Sequence, residues 1–190
     1  MNVRRVVPAA AAAALLALGY GAMGAVATAA GPAAHRAATH RATVYTVRAK
    51  IETGAMDHRD GPAMVPGSVR LPAHALVRMI IVSYDDGPAP APGHTAIQGV
   101  VGGRILVDGR AVTKVAPSTI AHTFTVPALG LNVPIPAAPK GGSVTVAFTF
   151  HTGRAGTYAW QCYAECGDGP TGWGYPMTTE DMMRGNVVVR

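Results

Sequence analysis

The chain has 190 residues, 49% of them hydrophobic and only 14% charged, with 23 glycines and 15 prolines. That is enough to bury one domain-sized core, and too poor in charged helix formers for a helical bundle. The net charge of +6 is scattered, without basic runs interleaved with aromatic residues, so nucleic acid is excluded as the expected partner.

Residues 1–30 read as a secretory signal peptide. Arg4 and Arg5 precede an alanine- and leucine-rich run from Val6 to Val26, which ends in the small residues Ala27-Thr28-Ala29-Ala30. A retained membrane anchor is the alternative, and a membrane is an expected partner only if this segment stays uncleaved. The arginine pair also hints at twin-arginine export. Residues 31–42, with His35, Arg36, His40 and Arg41, lack apolar periodicity and read as a linker, which leaves 43–190 as one domain. Export to the extracellular, cell-envelope or periplasmic side constrains cysteine chemistry, because thiols there either oxidise or are held by a metal.

Within the domain, the period-two alternation of strands recurs. Tyr45, Val47, Ala49 and Ile51 alternate with Thr46, Arg48 and Lys50. The segment from Gly54 to Gly67, with Met56, His58 and Met64, reads as a loop. Leu71 to Ser83 is strand-like, with Val77, Met79 and Ile81 on one face, and it stops at the turn Tyr84-Asp85-Asp86-Gly87. After a proline-rich loop and His94, Ile97–Val101 and Arg104–Val107 suggest two short strands around Gly102-Gly103, with a hairpin-type turn at Asp108-Gly109. Ile120 to Pro127 places His122 on the face of Phe124 and Val126. Leu129 to Pro139 reads as a proline-punctuated connection. Val144, Val146, Phe148 and Phe150 form the cleanest alternation, and His151 falls on the exposed parity. Beyond the turn Thr152–Gly156, Tyr158, Trp160 and Cys162 share one face. Thr179 to Met183 suggests a short helical turn before a closing strand at Val187–Val189. Many short strands and turns imply an all-β sandwich or barrel.

Chemistry concentrates at one corner. Cys162 and Cys166, the only cysteines, are followed after a glycine-rich loop by Met177, and strand parity aims Cys162 and His122 at the same interior. Two thiols, a thioether and an imidazole form a soft donor set suited to copper(I), while the same two thiols could close a small disulfide. A thioredoxin-type thiol enzyme would need strands alternating with long helices, which the pattern after residue 42 does not contain.

The segments His122-Thr123-Phe124-Thr125-Val126-Pro127, Gly156-Thr157-Tyr158 and Gln161-Cys162-Tyr163-Ala164-Glu165-Cys166-Gly167, with Met177, resemble in order and spacing the copper (CuA) domain of cytochrome c oxidase subunit II. The resemblance runs from about Val115 to Arg190. It implies a cupredoxin-like Greek-key β-sandwich and an exported copper protein for electron transfer or copper(I) holding. Such a protein is an accessory to a respiratory oxidase instead of an enzyme, with a redox or copper-exchange protein as partner. Position by position, the resemblance implies His122, Cys162, Cys166 and Met177 as ligands and the Glu165 carbonyl as a further donor. The family's second histidine has no counterpart, since Gly174 or Pro170 stands there depending on the alignment. A mononuclear copper site is therefore expected over a binuclear one, unless a loop histidine, His94 or His58, completes it. The competing expectation is a metal-free binding or structural module of the same fold, braced by a Cys162–Cys166 disulfide.

Overall fold

The computed structural model describes residues 43–57 and 61–190; the expected signal peptide, the linker and His58 lie outside them. Besides three single 3-10 turns, eleven strands and two one-turn α-helices are described, in the order β1 (Val44–Glu52), α1 (Gly54–Asp57), β2 (Ala63–Val65), β3 (Val69–Leu71), β4 (Leu76–Ser83), β5 (Ile105–Val107), β6 (Arg110–Val112), β7 (Ile120–Val126), β8 (Leu131–Pro136), β9 (Val144–His151), β10 (Gly156–Gln161), α2 (Tyr175–Thr178) and β11 (Arg184–Val189). They form an all-β sandwich of two sheets. One has the strand order β2-β1-β4-β9-β5-β6 and the other β3-β11-β10-β7-β8. Among the described residues no helix is long and apolar enough to cross a membrane.

The alternating segments supply the core. Ala49 and Ile51 of β1, Val77, Met79 and Ile81 of β4, and Val146, Phe148 and Phe150 of β9 are all buried from the first sheet. The second sheet answers with Phe124, Val126, Trp160, Val187 and Val189. Each of the valine, isoleucine, methionine and phenylalanine side chains so withdrawn from water contributes about 1.5–3 kcal/mol. Phe124 links the sheets, with ring centroids 5.4 Å from Trp160 and 6.0 Å from Phe148. The Trp160 indole N–H donates to the Gly67 carbonyl at 2.6 Å, which ties β10 to the segment before β3.

Several expectations need correction. The segment 54–67 contains β2, which pairs antiparallel with β1. Leu71 ends the separate strand β3 of the other sheet, so the strand-like stretch 71–83 is divided between sheets by the turn at Pro72–Ala75. Ile97–Val101 is not a strand. Gly99, Gly102 and Gly103 have φ of +69°, +74° and +62°, a left-handed backbone incompatible with extension, and one isolated bridge, Gln98 to Asn132, touches this stretch. The hairpin of that region is β5–β6, turned by Asp108 and Gly109 with φ of +47° and +80°.

Leu131–Pro136, read as a connection, is the strand β8. It tolerates Pro134 and Pro136 because it lies at a sheet edge, where a missing N–H interrupts no second ladder. The helical turn expected at Thr179–Met183 instead falls at α2, four residues earlier.

Candidate metal centre

The site is built where β7 and β10 end side by side. Opposite β8, β7 carries one extra residue between Ile120 and His122. Such a bulge re-aims the side chains that follow it, and His122 emerges fully buried, in phase with Phe124 and Val126. Beyond the end of β10 the ladder is prolonged by the Cys162 N–H, which donates to the Met183 carbonyl at 2.9 Å. Cys162 therefore keeps the inward parity of Trp160 and is itself fully buried.

The soft donors converge. Ligand atoms of His122, Cys162 and Cys166 lie within 4.8 Å of one another, the one such grouping of His, Cys, Asp and Glu among the described residues. The two cysteine sulfurs are 3.3 Å apart and both are free thiols. Met177 Sδ lies 3.3 Å from Cys166 Sγ. A backbone donor, the Thr123 N–H, points at Cys162 Sγ from 3.3 Å. Four of the five residues proposed from the sequence are thus brought together. The fifth, Glu165, has its carbonyl oxygen against Gly172 and lines a groove with Pro88, Pro90, Pro92 and Pro117.

Asp85 was missed as a member of this site. The sequence marks it only as part of a turn, because its partner is distant in the chain. Its Oδ2 lies 3.0 Å from His122 Nε2, although the ring N–H is not lined up with it, so neither ring nitrogen makes a well-formed hydrogen bond. Burial alone would pull the His122 imidazole down, but the Asp85 carboxylate and the Cys162 sulfur outweigh it and raise it to about 9. Burial would likewise push the Cys162 thiol up. The Cys166 thiol and the His122 imidazolium outweigh that and hold it well below the ordinary thiol range. Cys166, bonded to that sulfur and buried beside it, is pushed up. For Asp85 burial acts upward, and the His122 contact prevails to lower it.

The loop from Cys166 to Met177 is closed by its own backbone. Gly167 N–H donates to the Gly172 carbonyl at 2.8 Å, Gly174 N–H to the Asp168 carbonyl at 2.8 Å, and the Tyr175 N–H to Asp168 Oδ1. A β-carbon at Gly174 would meet Asp168 Oδ1 at 1.6 Å, and one at Gly167 would meet Met177 Cγ at 2.6 Å. Gly174, one of the two positions that the resemblance sets against the second histidine, thus has no room for a side chain; the other is Pro170. Neither is the gap filled by His94, whose ring stacks on Tyr163 with centroids 4.1 Å apart.

A hydrogen-bonded chain holds the Cys162 turn from the other side. The Tyr163 N–H donates to Thr123 Oγ1 at 2.8 Å, and the Thr123 hydroxyl donates to Thr125 Oγ1 at 2.9 Å. The Thr125 hydroxyl in turn donates to Asn132 Oδ1 at 2.6 Å. Asn132 Nδ2 finishes the chain on the carbonyls of His94 and Ala96, at 2.9 and 2.6 Å. Thr123 and Thr125, on the face of β7 turned away from the sheet interface, are therefore buried as well.

The donor set fits copper. A fully buried imidazole without a well-formed hydrogen bond stands beside two thiols that are not joined as a disulfide and a thioether, and soft sulfur donors with one imidazole select copper(I) over oxygen-seeking ions.

No family model matches the chain, and no curated protein matches it. Among solved structures it is similar to reduced rusticyanin, at 18% identity over 77% of this chain and 83% of that chain, with a TM-score of 0.39. Rusticyanin from Thiobacillus ferrooxidans gives 16% identity over 77% and 80%, with a TM-score of 0.37. Auracyanin A, a "blue" copper protein from the green thermophilic photosynthetic bacterium Chloroflexus aurantiacus, gives 16% over 78% and 100%, with a TM-score of 0.37.

Proposed function

We propose that the chain is a cupredoxin-like copper protein that holds one copper ion through His122, Cys162, Cys166 and Met177, without the Glu165 carbonyl, which lies against Gly172, and passes electrons or copper(I) to a partner protein. The observation that carries this reading is the convergence of three sulfurs, at successive spacings of 3.3 Å, on a buried imidazole with no well-formed hydrogen bond. Bound copper would supply a one-electron couple. The chain's own part is to present His122 from β7, Cys162 and Cys166 from the segment just beyond β10 and Met177 from α2, and to keep water out with buried Phe124, Trp160 and Met177. Rigid strands on both sides reduce reorganisation between copper states, which favours electron transfer; the partly exposed Cys166 offers the route by which the ion is exchanged. The leader-like run in residues 1–30 supports an exported setting.

Purification of the protein from copper-supplied cells, followed by metal analysis and thiol counting, tests the proposal. About one copper per chain with both thiols protected is expected. A protein without copper whose Cys162 and Cys166 are joined as a disulfide would reject it in favour of a metal-free module.

A further inference from the structure

We propose that Asp85 is a positioning residue for the metal centre, holding His122 by Nε2 so that Nδ1 is the nitrogen offered to the metal. The consequence for copper rests on the reading above; the geometry does not. Asp85 is itself fixed at three points. Its carbonyl accepts from the Ala138 N–H at 2.8 Å, its Oδ1 accepts from the Gly87 N–H at 2.9 Å, and its own N–H reaches Ser83 Oγ at 3.4 Å. With Oδ1 committed to Gly87, Oδ2 is the free end of the carboxylate, and it is the atom found 3.0 Å from His122 Nε2.

Both ring nitrogens are buried without a well-formed hydrogen bond, but Nε2 is the one beside the carboxylate, which makes Nδ1 the nitrogen left for the sulfur cluster. A carboxylate behind a ligating imidazole fixes its tautomer and ring orientation and makes it a stronger donor. The turn at Tyr84–Gly87, which the sequence presents as a simple strand end, thereby becomes part of the site. His122 sits on a bulged strand and its ring makes no well-formed hydrogen bond, so the charged contact of Asp85 Oδ2 with Nε2 at 3.0 Å is what would select the nitrogen that faces inward.

The test uses the full chain, labelled with 15N, as wild type, Asp85→Ala, Asp85→Asn and Asp85→Glu. Circular dichroism checks folding, and the backbone carbonyl bond to Ala138 survives in every variant. In the metal-free protein, with the imidazole neutral, long-range 1H–15N spectra are expected to show His122 protonated on Nε2 in wild type, and a tautomer mixture in Asp85→Ala. Copper(I) affinity, read by competition with a chromophoric copper(I) chelator, is expected to fall about 10–100-fold in Asp85→Ala. Asp85→Glu should recover part of that loss. Asp85→Asn, which retains an acceptor oxygen without the charge, should fall between wild type and Asp85→Ala and give copper a higher reduction potential than wild type.

Unchanged tautomer and affinity in Asp85→Ala overturn the proposal. So does X-ray absorption of the copper-loaded protein showing an oxygen ligand that disappears in Asp85→Ala, since Asp85 would then bind the metal directly. A wild-type protein that takes up no copper rejects the copper reading and the metal-centre role with it, and the tautomer measurement still decides whether Asp85 holds the ring.

Discussion

Gly174 lies so close against Asp168 that a β-carbon there would stand 1.6 Å from Asp168 Oδ1. Asp168 binds the turn through its carbonyl, which accepts from the Gly174 N–H, and through Oδ1, which accepts from the Tyr175 N–H. The glycine is therefore demanded by the loop that delivers Met177. Placing a histidine there by Gly174→His is expected to open this loop at a cost of about 1–3 kcal/mol, the usual scale for forcing atoms into a filled space. It should not raise the copper stoichiometry above one. Urea unfolding and metal analysis of the variant check both halves, and two coppers per chain at unchanged stability would contradict the account.

Met177 is the donor that can be removed with least damage to packing. It is buried at 2% exposure, and Leu has nearly its volume, so Met177→Leu should cost less than about 1.5 kcal/mol in stability. With the thioether gone, copper(I) affinity is expected to fall roughly tenfold or more, equivalent to about 1.4 kcal/mol. Chelator competition alongside thermal unfolding separates the two effects. Equal affinity in the two proteins would remove Met177 from the ligand set.

What could be read from the chain follows the range of the physical signal. β1, β4 and β9 span eight or nine residues each, long enough for alternation to show, and His122 and Cys162 inherit their inward aim from such periodicity. β2, β3 and β6 have three residues each, too few for a period of two to register. β8 hid behind its prolines, since the permissive edge position is a property of the sheet and not of the segment. Asp85 and Asn132 escaped for another reason. Asp85 looks like a turn residue locally and Asn132 like loop punctuation, and their partners lie 37 and 7 residues away on β7.

The Thr123–Thr125–Asn132 chain gives a third expectation. Thr125→Val keeps shape but leaves Asn132 Oδ1 and Thr123 Oγ1 without their partner in a buried setting, which should cost about 1–3 kcal/mol. Asn132→Leu should cost more, because it also strands the carbonyls of His94 and Ala96. If the hydroxyl and amide act as one unit, the double variant will be less destabilised than the sum of the singles, with a coupling of about 0.5–3 kcal/mol. Additive losses in a denaturant-based double-mutant cycle would show that the chain does not act as a unit.

Trp160 is buried two residues before Cys162, at the end of β10. Its ring packs on Phe124, and its indole N–H donates at 2.6 Å to the Gly67 carbonyl, in the segment that leads into β3. Gly185 makes this approach possible, because a β-carbon there would fall 2.2 Å from that same carbonyl oxygen and 2.8 Å from Trp160 Nε1. Trp160→Phe retains most of the apolar contact and removes the donor, so the buried Gly67 carbonyl loses its partner at a cost of about 1–3 kcal/mol. Gly185→Ala forces the carbonyl and the indole apart and should weaken the same bond without touching the tryptophan. Both variants are expected to unfold at lower urea concentration than wild type, and both should loosen the end of β10. Reaction of Cys162 and Cys166 with a thiol reagent under native conditions should then be faster in each. Wild-type reactivity in a destabilised Trp160→Phe protein would mean that the indole bond stabilises the sandwich without holding the cysteine turn.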